Sequence, residues 1–448
     1  MKRSAGAVAL SATQGLSVQG CASPAPDLPR PDFLVIVIDC LRSDHVTANG
    51  YERPTTPSLD RIAAEGISFT RAFSQSNWTR PAMPSILTGL YPSEHGLLAF
   101  QEDEEGNVLS AVVDESVETL AGRLKAAGYA TAMIGQQDQL SPHFGLDQGF
   151  DEYRFRAGWA KVLNRKFLRW LNGERSERFL ALLHYFDLHW PYCPPKGVRG
   201  RYNKSLSEFD PCNDPRGLLR AIRHEGRPVT ETELDALIGA YDEELWALDR
   251  RIGFLVDELV ERGVWDDTFV IVTSDHGEAF LEHGRIGHQD QAWNELLHVP
   301  LIAKAPKGWP GPRGVLDDSI IETRSIAATF LEAARLESLG RSDSFLGALT
   351  GAGYEPPDYV VSETNFSLAL QTRALKLITD RNRDSPQLFD LVADPQETVN
   401  VAAGRRRELA ELRSHLAAWR ESLMPATAGR SVVDERTVDE LRAIGYLD

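Results

Sequence analysis

Apolar and polar positions follow two spacings along this chain. Phe33 to Ile38 (FLVIVI), Phe179 to His184 (FLALLH) and Thr268 to Thr273 (TFVIVT) are almost continuously apolar and too short for stable helices. Runs of this kind predict strands buried on both faces of a parallel sheet, and Tyr129 to Gly135 and Val299 to Ala303 extend the series. Between them the apolar residues recur three and four apart. Leu59, Ile62 and Ala63 follow Thr55, Thr56 and Pro57 and stop at Gly66, and Ser116 to Ala127 stops at Gly128. Thr230 to Gly263, with Leu237, Tyr241, Leu245, Leu248, Ile252 and Val256 in register, predicts the longest helix. Residues 154–178 are rich in Arg and weakly periodic, which predicts a helical excursion over the surface. Residues 194–227 turn to Pro, Gly, Asn and charge and predict a long surface loop. Strands alternating with helices make this an α/β chain, with a mostly parallel central sheet between two helical layers.

The texture changes near residue 345. Tyr359 to Glu363, Leu375 to Thr379 and Gln387 to Leu391 are short strands bounded by turns, and Arg405 to Leu423 is a strongly charged helix. The predicted organisation is a leader over residues 1–31, a main domain over 32–345 and a smaller C-terminal α+β subdomain with terminal helices over 346–448.

Composition narrows the function classes. With 448 residues and 42% hydrophobic content the chain can bury a large core. Its 48 basic residues face 65 acidic ones, a formal charge of −17 that argues against a nucleic-acid surface or a polybasic membrane patch. No run reaches the ~20 apolar residues of a membrane span. Cys21, Cys40, Cys193 and Cys212 show no C-x-x-C pair or zinc-finger spacing; Cys193 and Cys212 pair if the protein is exported and otherwise remain two thiols. The first thirty residues read as a disordered leader of a cytoplasmic protein, with an exported lipoprotein anchored through Cys21 as the alternative.

Candidate chemistry clusters at the predicted strand ends, where ligands gather in open α/β sheets. Asp39 closes the first strand and is followed by Cys40, Leu41, Arg42, Ser43 and Asp44. His189 follows the FLALLH run, and Ser274, Asp275, His276, Gly277 and Glu278 follow TFVIVT. The stretch Ser76 to Gly96 (SNWTRPAMPSILTGLYPSEHG) sets Thr79 just before a helix predicted to begin at Pro81, with Pro81 and Pro84 in its first turn. Thr79 reads either as a helix cap or as a hydroxyl nucleophile facing the anion-attracting end of the helix. Asp39, Asp275 and His276 supply two carboxylates and an imidazole, a donor set that suits Zn²⁺ or Mn²⁺ better than Ca²⁺ or Mg²⁺.

Taken in order, these motifs resemble the sulfatase family of the alkaline-phosphatase superfamily. Asp39, Leu41, Arg42 and Asp44 match its D-x-L-R-x-D opening, and Pro81, Leu87, Thr88 and Gly89 match C/S-x-P-S-R-x-x-x-L-T-G with Thr79 at the nucleophile position. Asp187, His189, Pro191 and Tyr192 match D-P-H-x-P-Y; Ser274 to Glu278 match S-D-H-G-E. Leu388 to Asn400 match L-Y-D-L-x-x-D-P-x-E-x-x-N, and Leu441 to Leu447 resemble a family ending.

The resemblance implies a three-layer alkaline-phosphatase-like fold and a hydrolase of sulfuric or phosphoric esters. Thr79, His189, His288 and Arg42 are then the catalytic residues. One divalent ion is expected on Asp39, Thr79, Asp275 and His276, with Cys40 where the family places a second carboxylate. Thr79 and Met83 depart from the family's Cys or Ser and its Arg, so no formylglycine is expected. His288 and Gln136 with Gln137 stand where the family carries lysine and a lysine–histidine pair. These departures favour phosphoric monoesters or diesters, by attack of Thr79 on phosphorus, on a small or a glycan- or lipid-linked anionic ester. Headgroup phosphotransfer and a non-catalytic binding role remain the other readings.

Overall fold

The first apolar run forms β1 (Asp32–Ile38), buried along its whole length. The computed structural model describes residues 28–438 except 104, 106, 174–177, 203–211, 213–214, 224, 289–290, 340–341, 426–428 and 435. Leader residues 1–27 with Cys21, and the tail from Leu441 to Leu447, lie outside the described residues.

β1 lies within an eight-stranded sheet with β2 (Ile67–Phe73), β3 (Ala130–Gly135), β4 (Glu152–Arg154), β5 (Phe179–Tyr185), β6 (Thr268–Thr273), β7 (His298–Lys304) and β8 (Val315–Glu322), in the order β8-β2-β7-β6-β1-β5-β3-β4. β1 pairs in parallel with β5 and β6, whereas β7 runs antiparallel to both of its neighbours. The sheet is therefore mixed and mostly parallel.

Strand period divides the core into two layers. Phe33, Val35 and Val37 face one cluster with Met83, Ile86 and Phe330, while Leu34, Ile36 and Ile38 face another with Ile62, Leu245 and Ile252. Full burial of each such side chain contributes about 1.5–3 kcal/mol, so β1 stabilises both layers at once. The described helices in these layers include α1 (Pro57–Ala64), α2 (Thr79–Thr88), α3 (Leu120–Ala126), α4 (Ala160–Leu171), α5 (Pro215–Arg223), α6 (Glu231–Glu261) and α7 (Ser325–Ala333). Thr230 starts α6 with a capping box: its hydroxyl accepts from Glu233 N and its own N–H donates to Glu233.

Three expectations change. The Arg-rich stretch is no surface excursion, because α4 buries Leu163, Phe167, Leu168 and Leu171 and turns its charges outward. The expected loop over 194–227 contains α5, and Cys193 just before it is joined in a disulfide to Cys212 midway along it. α2 begins at Thr79 rather than Pro81, which leaves Pro84 inside the helix instead of in its first turn.

At the C-terminal end, β9 (Val360–Glu363), β10 (Ser367–Gln371), β11 (Leu375–Asp380) and β12 (Gln387–Asp390) form an antiparallel sheet in sequence order. α8 (Arg406–Ser422) covers it with Leu412, Leu416 and Trp419, which pack with Val361, Leu377 and Tyr91. β9 also grips the segment before α2. Glu363 N donates to Gln75 O at 2.8 Å, Ser76 Oγ to Glu363 O at 2.6 Å, and Ser362 Oγ to Ser74 O at 2.6 Å.

Candidate active site

The carboxyl ends of β1, β5 and β6 and the first turn of α2 meet in one buried cluster. Asp39 follows β1, and its N–H donates to Tyr185 O at 2.9 Å. Asp275 and His276 follow β6, where the Ser274 hydroxyl donates to Ile38 O and accepts from Leu41 N, tying the two strand ends together. Trp78 is the N-cap of α2, so the Thr79 hydroxyl is not spent on capping. Thr79 Oγ1 instead stands 3.4 Å from Asp39 Oδ2 and 3.4 Å from His276 Nε2.

His276 Nε2 lies 3.5 Å from Asp39 Oδ1 and 3.6 Å from Asp275 Oδ2. Its Nδ1 donates to Gly277 O at 2.9 Å, which leaves Nε2 as the lone pair turned toward the carboxylates. Burial pulls the His276 pKa down, but Asp275 and Asp39 outweigh it and raise it overall. Burial alone would lift the Asp275 carboxyl, yet His276 and His184 hold it well below the usual carboxylate range. Both shifts express one demand: two buried carboxylates attract a positive charge between them.

His184, near the end of β5, joins this cluster although its strand position did not single it out. Its Nε2 stands 3.7 Å from Asp39 Oδ2 and 3.6 Å from Asp275 Oδ2. Both of its ring nitrogens and Asp275 Oδ2 are buried without a hydrogen-bond partner in the structure. Unsatisfied buried polar atoms are costly, so converging ones call for a ligand. Ligand atoms about 2.0–2.1 Å from a tetrahedral cation lie roughly 3.4 Å apart. The separations of 3.4–3.7 Å therefore fit an ion held among these groups, and the mixed O/N donors fit zinc or manganese better than calcium. Gln137, which stands where the family carries its lysine–histidine pair, donates Nε2 to Asp39 Oδ2 at 3.3 Å and orients that carboxylate.

Cys40, His189 and His288 gather beside this cluster. Cys40 Sγ donates to Asp39 Oδ1 at 3.1 Å and lies 3.7 Å from His288 Nδ1. Burial pushes the thiol up, and Glu278 and Asp39 push it further. His288 faces Glu278 Oε1 at 3.2 Å; burial dominates and lowers its pKa to about 4, so the imidazole is neutral near pH 7. His189 stacks on Phe186, with ring centroids 4.3 Å apart, and donates Nδ1 to Trp190 O. Arg42 is engaged elsewhere: its guanidinium bonds Asp44, Glu282 and the Glu278 carbonyl and lies over Phe280. It lines a cleft with Arg71, His283, Glu295 and His298.

The strand order, with this cluster at the carboxyl ends, is that of an alkaline-phosphatase-like fold. The chain belongs to the sulfatase family, whose profile matches residues 31–336. It is 22% identical to an arylsulfatase of Clostridium perfringens, over 83% of this chain and 90% of that one. A phosphonate monoester hydrolase of Agrobacterium radiobacter superposes with a TM-score of 0.71 at 21% identity, over 88% of this chain and 96% of that one. A protein solved with its substrate D-glucosamine-2-N,6-O-disulfate superposes with a TM-score of 0.71 at 20% identity, over 88% and 99% of the two chains.

Proposed function

We propose that this enzyme is a metal-dependent hydrolase of sulfuric or phosphoric esters in which Thr79 is the nucleophile, with phosphoric monoesters or diesters preferred. The reading rests on one observation: the Thr79 hydroxyl lies 3.4 Å from both Asp39 Oδ2 and His276 Nε2, in a buried cluster whose donors suit a divalent cation. Asp39, Thr79, Asp275 and His276 hold the ion, Zn²⁺ or Mn²⁺ rather than Ca²⁺ or Mg²⁺, with His184 added to the set and Cys40 at its edge. The ion supplies charge that favours the alkoxide near neutral pH and offsets the charge of the bound ester.

Thr79 Oγ1, its proton given up to solvent as the alkoxide forms, attacks the central phosphorus in line with the leaving oxygen. His288, neutral near pH 7, stabilises an equatorial oxygen, and His189 passes a proton to the departing alkoxide or phenoxide. Arg42 contributes through the acidic residues it holds at the cleft. Water then attacks the phospho-threonine and releases the hydroxyl. A sulfated Thr79 lacks the route by which a formylglycine hydrate expels sulfate, which is the physical reason for preferring phosphorus.

A panel of aryl phosphate, phosphodiester, phosphonate and sulfate esters, assayed with wild-type protein and Thr79→Ala, tests the proposal. Phosphoester turnover lost in the variant and abolished by chelation supports it. Equal turnover by Thr79→Ala removes the nucleophile, and full activity in metal-free protein removes the ion.

A further inference from the structure

We propose that Arg223, the last residue of α5, binds a terminal oxygen of the tetrahedral anionic ester and so restores, from a different element, the positive charge this chain lacks at His288. The inference rests on the hydrolase reading above and assigns a residue which that reading leaves out.

Packing and backbone shape bring the guanidinium to the site. Leu219 and Ile222 of α5 pack against the core layer that holds Tyr192 and Tyr241, which fixes the end of the helix. From there Arg223 lies across the turn before His288: its Nε donates to Ile286 O at 2.9 Å, and a Cβ on Gly287 would come 1.6 Å from its Nη2. Gly287 also holds φ +85°, so glycine both makes this turn and leaves room for the guanidinium.

The remaining donors of Arg223 are free to take a ligand. Among the described residues Nη1 and Nη2 donate no hydrogen bond. Arg223 lines a cavity of about 10 Å³ with His189, His288, Glu278 and Leu219. That is the space of one water, and hence of one oxygen atom of a tetrahedral anion. Burial would raise the Glu278 carboxyl, but His288, His189 and Arg223 bring it down to about 2, which places the guanidinium within electrostatic reach of this wall.

Charge makes the assignment necessary. Asp39, Asp275 and Glu278 repel an approaching anion, His288 is neutral near pH 7, and Arg42 is spent on Asp44 and Glu282. Arg223 is the permanent cation on the cavity wall. Its planar fork of N–H groups suits phosphate or sulfate oxygens, and its attraction grows with their charge. A dianionic monoester therefore gains more from Arg223 than a monoanionic diester does.

The test uses the full, metal-loaded chain. Inorganic phosphate and sulfate are titrated by calorimetry into Thr79→Ala, alone and combined with Arg223→Gln or Arg223→Lys. Arg223→Gln is expected to weaken binding of the preferred anion about 10–100-fold, and Arg223→Lys to recover part of it. With Thr79 intact, Arg223→Gln should lower kcat/KM for an aryl monoester by a similar factor and for a diester by less. Unchanged anion affinity in Arg223→Gln, or equal losses for the two esters, overturns the assignment and leaves Arg223 a tie between α5 and Ile286. Wild-type protein decides the matter without a variant: phosphate or sulfate should protect Arg223 from phenylglyoxal, read by peptide mass, and equal labelling with and without the anion overturns the role. Full turnover by Thr79→Ala with anion binding still dependent on Arg223 removes the nucleophile and supports the arginine.

Discussion

Thr79 Oγ1 and Asp39 Oδ2 lie 3.4 Å apart across 40 residues of chain, one at the start of a helix and the other just past the end of a buried strand. Removing that hydroxyl leaves the carboxylates and imidazoles in place. Thr79→Ala is therefore expected to lower kcat/KM by about 10³-fold or more while keeping bound metal, and Thr79→Ser to recover part of the rate. Steady-state kinetics with elemental analysis of the same samples separates loss of the nucleophile from loss of the ion.

His184 offers a different contrast. Its Nε2 faces Asp39 and Asp275 at 3.7 and 3.6 Å, yet it holds no hydrogen bond. His184→Gln is expected to weaken metal affinity about 10–100-fold, measured by competition with a chromophoric chelator. Unchanged affinity would make this imidazole packing alone.

Gly277 is fixed by a close approach. A Cβ there would come 2.0 Å from Glu295 O, while the Gly277 carbonyl orients the His276 ring. Gly277→Ala is expected to destabilise the fold by about 1–3 kcal/mol in urea unfolding and to reduce metal retention with it.

Stability should also carry a signature of Glu295. Burial, reinforced by Glu282 and Glu397, pushes its carboxyl up to about 7 from the ordinary 4.5. The folded chain then keeps a proton that the unfolded chain releases, so stability falls as pH rises from about 4.5 and levels off above about 7. The loss is on the order of 3 kcal/mol at most. Glu295→Gln should flatten this part of the profile in urea titrations between pH 5 and 8; an identical wild-type slope would refute the assignment.

Much of the layout could be read from side-chain order because burial on two faces leaves an unmistakable trace. β1 and β6 are continuous apolar runs, so Asp39, Asp275 and His276 were marked by the places where the runs end. β2 and β8 went unseen: VLDDSIIE is the edge strand with an exposed first half, and ISFTRAF, though mostly buried, is interrupted by Thr70 and Arg71. The antiparallel direction of β7 was equally hidden, since hydrophobicity does not record which way a strand runs. His184 escaped for a related reason. It sits inside a strand, where a histidine looks like one more core position until the neighbouring strand ends are in place.

The grip of β9 on the segment before α2 also bears on the order of events during synthesis. Ser74, Gln75 and Ser76 are bonded by Ser362 and Glu363, which follow them by almost three hundred residues. The helix that opens with Thr79 can form early, but its entry cannot be locked until that distant strand has left the ribosome. A nascent or C-terminally truncated chain would hold this segment without its latch, so the tail of the chain sets when the entry to that helix becomes rigid.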